Sequence, residues 1–183
     1  MTVKSDFKKA AGYLLFLAVF CAMFLAGGCG YHFSQGGEHI AADIRRVYVD
    51  NFTNETSEAY VENYIRNGFI EQFRRSTRFR ITDGKETADA VLTGSIKNIR
   101  MTPLASDQFD KATVTRVWMV VGIQFKERQG GKTIYVNPNL TGDQSYSVDP
   151  SDTNRTSINK SAALQKLSFD LAEKGYGLIL SGF

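Results

Sequence analysis

From Ala112 to Glu127 the chain alternates between two kinds of side chain, and this stretch limits the fold more than any other. Val117, Met119, Val121, Ile123 and Phe125 fall on one side; Arg116, Trp118, Val120, Gln124 and Lys126 fall on the other. A period of two is that of a β-strand with one buried face. So long a strand needs long neighbours for its backbone groups and an apolar layer for its inner face. Ala88 to about Thr102 reads as one neighbour, with Ala90, Leu92 and Ile96 inward and Thr93, Ser95 and Lys97 outward. The phase slips near Asn98, because Ile99 and Met101 continue on the other parity; a β-bulge there accounts for the slip. Pro103 to Asp110 is expected to be a loop. Gln129-Gly130-Gly131-Lys132 reads as a hairpin turn. It leads to a strand at Thr133–Val136, interrupted at Pro138 and resumed from Tyr146 to Val148.

Elsewhere the period changes. Arg45 to Phe52 is β-rich, and Thr53 to Thr56 reads as a turn. Val61, Ile65, Phe69 and Phe73 then recur every four residues, with Glu58, Glu62 and Arg66 opposite. This spacing predicts an amphipathic helix of about five turns, with Thr56 or Ser57 as N-cap. Arg74, Arg75, Arg78 and Arg80 crowd its end, where cations complement the helix dipole; an anion site is the other reading. Phe79 to Thr82 is a short strand closed by Asp83-Gly84. A second helix is predicted to begin near Thr156 to Ile158, with Ala163, Leu164, Leu167, Leu171, Leu178 and Ile179 as its stripe. Gly175 and Gly177 mark a kink or close packing within it. The order predicts an α+β two-layer sandwich, two helices packed on one face of a small mixed, mostly antiparallel sheet. Its other face is left open, where Trp118 and Val120 want a partner.

The first residues have a separate logic. Lys4, Lys8 and Lys9 precede an uncharged apolar run from Ala10 to Gly28, ending in Leu25-Ala26-Gly27-Gly28-Cys29. That is the layout of a secretory signal peptide over residues 1–28. A cysteine just behind small residues is similar to the lipobox of bacterial lipoproteins, with Ala26 where Leu is more usual. Cys29 is therefore the expected lipidation site, followed by a glycine-bearing tether to residue 40 and one domain over 41–183. An uncleaved membrane helix is the alternative. Cleavage would remove Cys21 and leave no disulfide. It would also bring the formal charge of +3 close to neutral, which gives no support to a nucleic-acid partner.

Catalytic chemistry finds few residues. His32 and His39 lie in the tether and would make a weak metal site. No nucleophile elbow, zinc-binding helix motif or Walker loop occurs, and no cofactor is expected. Asp107 with Asp110, and Asp149 with Asp152, are loop carboxylates lacking a third ligand or base. Asn51, Asn54, Asn139 and Asn154 head N-x-S/T triplets, which read as turn and cap chemistry beside a bacterial leader.

Taken together, Cys29 to Phe33, Val47 to Thr56, Ala88 to Gly94, Gly131-Lys132 and Leu167 to Glu173 resemble the LPS-assembly lipoprotein (LptE) family. The resemblance implies two helices on a small mixed sheet and a non-catalytic role. It implies an outer-membrane lipoprotein that plugs an LptD-type β-barrel, aids its folding and contacts lipopolysaccharide. No individual contact residue carries over from it. Local physics instead nominates Lys97, Arg116, Lys126 and Lys132 for lipopolysaccharide phosphates, and Trp118 and Val120 for a partner. An accessory lipoprotein of another barrel or secretion complex is the competing reading, and a periplasmic hydrolase a more distant one.

Overall fold

The computed structural model describes residues 39–106, 108 and 112–182. The leader, Cys29, His32, Asp107 and Asp110 lie outside them. In chain order the elements are β1 (Arg46–Val49), β2 (Thr53–Asn54), α1 (Val61–Arg75), β3 (Arg80–Ile81), a 3-10 turn (Lys85–Thr87), β4 (Ala90–Ser106), β5 (Ala112–Glu127), β6 (Thr133–Ser147) and α2 (Thr153–Ser181). The sheet runs β3-β1-β4-β5-β6, with β2 also pairing β4. The short pairings of β1 with β3, β1 with β4 and β2 with β4 are parallel. The long ladders of β5 with β4 and with β6 are antiparallel. The fold is the α+β sandwich that the patterning predicts, with β5 inside the sheet.

Both helices cover one face. Val117, Met119, Val121, Ile123 and Phe125 are buried against them, together with Ile65, Phe69, Phe73, Leu167 and Leu171. The helices approach each other where a side chain is missing. A Cβ on Gly68 of α1 would stand 2.8 Å from Ala172 Cβ of α2. Gly175 is also a close-packing position: a Cβ there would meet Phe69 Cζ at 2.8 Å and Leu140 Cδ2 at 3.0 Å, whereas one on Gly177 meets nothing.

The expected Thr53–Thr56 turn contains β2, and α2 begins at Thr153, ahead of the expected Thr156–Ile158. Three further boundaries depart from the sequence expectation. First, α1 starts at Val61 after a left-handed Tyr60 and has no side-chain N-cap. Thr56 is occupied elsewhere: its N–H and hydroxyl both donate to Asn54 Oδ1, at 3.0 and 2.8 Å, so Thr56 and Ser57 do not cap. The helix is thus nearer four turns than five. Second, β4 continues through Pro103 to Ser106, where a loop was expected. Beyond Ile96 no strand of the described residues flanks β4 on its β1 side, so Pro103 sits on a local edge, where proline is tolerated. Third, β6 runs unbroken through Pro138. It is the edge strand, and its register with β5 shifts at that level, between Val121 and Ile123. A bulge on an edge is where a strand tolerates proline. The parity slip near Asn98 is a bulge, with Lys97 as the extra residue between Ile96 and Asn98.

One solvent-accessible network ties the start of β1 to the start of β4. Asp89 Oδ2 accepts from the N–H groups of Arg45 and Arg46, at 3.1 and 2.7 Å. Its Oδ1 accepts from the Arg46 guanidinium at 2.7 Å. The hydrogen bond from the Arg46 side chain, helped by the two backbone donors, holds the Asp89 carboxyl down at about 2. A lowered carboxylate pKa stabilises the fold fully above the ordinary value of 3.8, and that contribution is lost as pH falls through about 2. Asp89→Asn is expected to cost about 1–3 kcal/mol in urea unfolding at neutral pH. The gap between variant and parent should narrow as pH approaches 2. A gap that stays constant down the same series would remove the carboxylate from the account.

Candidate functional site: the open sheet face

The face turned away from the helices is built by the outward parity of β4, β5 and β6. Its centre is Trp118, an aromatic side chain 36% exposed on a middle strand. Arg116 lies on the same side two residues back, and its guanidinium carbon is 5.8 Å from the Trp118 ring centre. Such a distance permits a cation–π contact between the guanidinium and the indole. Arg116 Nε also stands 3.4 Å from Asp143 Oδ2, and Asp143 is the β6 residue directly opposite Trp118. On β4 the residue opposite Trp118 is Arg100, and Asn98 stands opposite Val120. Lys97, in the bulge, lays its chain over Gly122: a Cβ there would be 3.0 Å from Lys97 Cε. Arg100 is exposed and, like Lys97, makes no ion pair with a described residue.

The bulge matters for this arrangement. Without the extra residue, the parity of Lys97 would put Ile99 and Met101 outward and Arg100 inward. With it, Arg100 joins the face. Arg100 was not among the cations nominated from the sequence, although the slipped parity of Ile99 and Met101 already implied its outward position. Val136, 54% exposed and opposite Gln124, is a second apolar surface residue that alternation alone missed.

The six nominated residues share one face or its rim but do not form one cluster. Lys126 is eight residues along β5 from Trp118, roughly 26 Å at strand rise. It pairs with Thr133 at the hairpin end, near Lys132, which stands 3.8 Å from Glu127. Arg100, Arg116, Trp118 and Val120 therefore make one group and Lys126 with Lys132 another, while Lys97, laid over Gly122, stands between the two.

Other candidate residues have internal tasks. Arg75 and Arg74 reach Glu71 at 3.0 and 3.8 Å, in the last turns of α1, where cations suit the dipole. Arg78 donates to the carbonyls of Ile40 and Ala41. Asp152 caps α2 by accepting from the Arg155 N–H at 2.9 Å. Asp149 accepts from both the hydroxyl and the N–H of Ser151, which lower its pKa. The Asn54 amide donates to Glu58 O and Glu62 Oε2 in the loop before α1. A shallow hollow of about 460 Å³ between the helices is lined by Asn67, Ile70, Glu71, Arg74, Arg75 and Phe169. Its one carboxylate is the Glu71 already paired, so it offers no free general base. His39 sits beside Gly182, and no helix among the described residues is long and apolar enough to cross a membrane.

Comparison with known proteins bears on the fold and the family. A lipoprotein of Caulobacter crescentus CB15 superposes with a TM-score of 0.52 at 10% identity, over 72% of this chain and 89% of that one. This is a likeness of fold. Rare lipoprotein B of Shewanella oneidensis gives a TM-score of 0.48 at 12% identity, over 75% and 92% of the two chains. No curated protein sequence matches. The sequence model described as LptE: Lipopolysaccharide-assembly matches residues 44–176, from just before β1 to the last turns of α2. That span takes in every strand of the described residues, α1, most of α2 and the open face with Trp118, and the chain belongs to the LptE lipopolysaccharide-assembly family.

Proposed function

We propose that this protein is an outer-membrane lipoprotein, acylated at Cys29, that plugs and helps assemble an LptD-type β-barrel and binds lipopolysaccharide during export. Family membership supports the assembly role, and the family is a non-enzymatic lipoprotein family. In this reading residues 1–28 are a leader, 29–40 a tether and 41–183 the working domain. The observation that carries the binding part is the open face: Lys97 and Arg100, which have no carboxylate partner among the described residues, with Arg116 near Trp118, on one side of a sheet whose other side packs the helices. Cations there suit lipid phosphates through charge-assisted hydrogen bonds, and the indole and Val120 suit acyl chains. Lys126 and Lys132 stand too far along the face to share a phosphate with Arg100 and Arg116.

A mild-detergent pull-down from membranes is expected to recover a β-barrel that itself binds lipopolysaccharide. Recovery of a barrel without that property would favour the accessory role in another complex. Replacing Lys97, Arg100 and Arg116 together by glutamine is expected to weaken binding to purified lipopolysaccharide by about tenfold or more at low salt. Barrel association should survive. Unchanged lipopolysaccharide binding with loss of the barrel would assign this face to the protein partner.

A further inference from the structure

The N-terminal segment leaves the domain at a defined place. Ile40 is buried, and its carbonyl accepts from Arg78 at 2.6 Å; Ala41 O accepts from the same group at 3.1 Å. Arg45 Nε donates to Ala42 O at 3.0 Å, and the His39 ring lies against Gly182 at the end of α2. Register brings other elements to this end. Arg46 pairs with Arg80, and Ala90 pairs with Glu127, so the starts of β1, β3 and β4 lie level with the β5–β6 turn.

This end is basic. Arg45, Arg80 and Arg128 are exposed and Lys126 is half-buried, and none of the four has a carboxylate partner among the described residues. Asp89 is neutralised by Arg46 at 2.7 Å, and Glu127 lies 3.8 Å from Lys132. Asp43, exposed two residues before Arg45, has no cationic partner among the described residues and is outnumbered by the four cations. The opposite end, where α2 begins, carries Asp149 and Asp152 against Arg155. None of the exposed large apolar side chains lies in the Arg128–Lys132 turn, which argues for a charge-held contact and against insertion.

We propose that this end is a membrane-facing rim that holds the anionic phospholipid headgroups of the bilayer carrying the Cys29 anchor. The proposal rests on that anchor. Ten peptide units separate Cys29 from His39, a reach of at most roughly 33–36 Å. β5 alone is about 50 Å long at strand rise, so a chain leaving from this end keeps the basic end closer to the lipid than the acidic one. Tethering raises the local concentration of headgroups and lets weak contacts hold. Each cation at an anionic surface shifts such an equilibrium by roughly fivefold. The rim therefore orients the open face relative to the membrane.

The test uses the full lipidated chain in nanodiscs of phosphatidylcholine, with and without phosphatidylglycerol, containing a quencher lipid. A fluorophore on Gln129→Cys reports the rim, and one on Ser151→Cys reports the far end. Quenching at position 129 is expected to rise with phosphatidylglycerol and to fall in high salt, while position 151 stays unquenched. In Arg45→Gln/Arg80→Gln/Lys126→Gln/Arg128→Gln the rim-down population should drop by at least about tenfold. The salt titration leaves the four cations in place and needs only the reporter cysteines, so it decides the matter even if that variant folds poorly. Equal quenching in both disc types, or a response only when lipopolysaccharide is added, overturns the rim and leaves the anchor standing. A chain that enters neither disc overturns the anchor and the rim together.

Discussion

Phe73→Ala is expected to destabilise the domain by about 3–5 kcal/mol. Phe73 is fully buried in α1, and its ring is the hub of an aromatic cluster drawn from four parts of the chain. It meets Phe79 edge-on at 5.4 Å, Tyr176 of α2 edge-on at 5.1 Å, and Phe125 of β5 tilted at 5.8 Å. Phe79 and Phe125 also touch, with centroids 6.2 Å apart. Truncation removes the apolar transfer energy and leaves a cavity whose walls belong to different elements, so no single movement closes it. For a domain whose whole stability is about 5–15 kcal/mol, that is a large fraction. The melting temperature should fall by roughly 10–20 °C. Phe73→Leu, which refills part of the space, should recover a substantial share of the loss. A loss below about 1 kcal/mol in denaturant titration would mean that the cluster collapses freely and does not join the layers.

The second large effect is expected at a residue with no side chain. Gly94 lies on the inward parity of β4, opposite Ile123. A Cβ there would run into the Phe52 ring, and it would stand 2.6 Å from the carbonyl oxygen of Gly122. The oxygen is backbone and cannot step aside. The ring cannot retreat either, because Phe52 is stacked on Phe69 at 5.7 Å, and Phe69 is pressed against the site of the missing Gly175 side chain. Gly94→Ala therefore has to move a strand or break the stack, and a cost of about 3 kcal/mol is expected. Adding Phe52→Leu should restore part of it, with a coupling of roughly 0.5–3 kcal/mol in a double-mutant cycle. Additive losses would show that the ring is not what Gly94 accommodates.

Much of this architecture was legible in one dimension because periodicity is a local property. The alternation through β5 names its buried face residue by residue, and the four-residue recurrence from Val61 to Phe73 names the buried stripe of α1. Even the bulge at Lys97 could be read, since a strand cannot change which parity is apolar without an extra residue. The candidate face followed from the same logic: the residues left over by the core parity include Arg116, Trp118, Val120 and Lys126.

What the tertiary structure decided are matters in which a residue's meaning depends on its neighbours. Pro103 and Pro138 look like strand breakers, yet both lie inside strands, because Pro138 falls at a bulge of the edge strand and Pro103 where no described strand flanks β4 on its other side. Thr56 looks like a helix cap, but Asn54 already accepts its N–H and hydroxyl hydrogen bonds. The nominated cations share a parity, and parity carries no distance; strand register separates Lys126 from Trp118 and brings in Arg100. The basic end is likewise invisible in sequence, since Arg45, Arg80 and Arg128 come from distant segments that only the sheet order makes level. Side-chain direction is set by the dihedrals of a few consecutive residues, whereas proximity across strands is set by hydrogen-bond register, and register is a property of the assembled sheet.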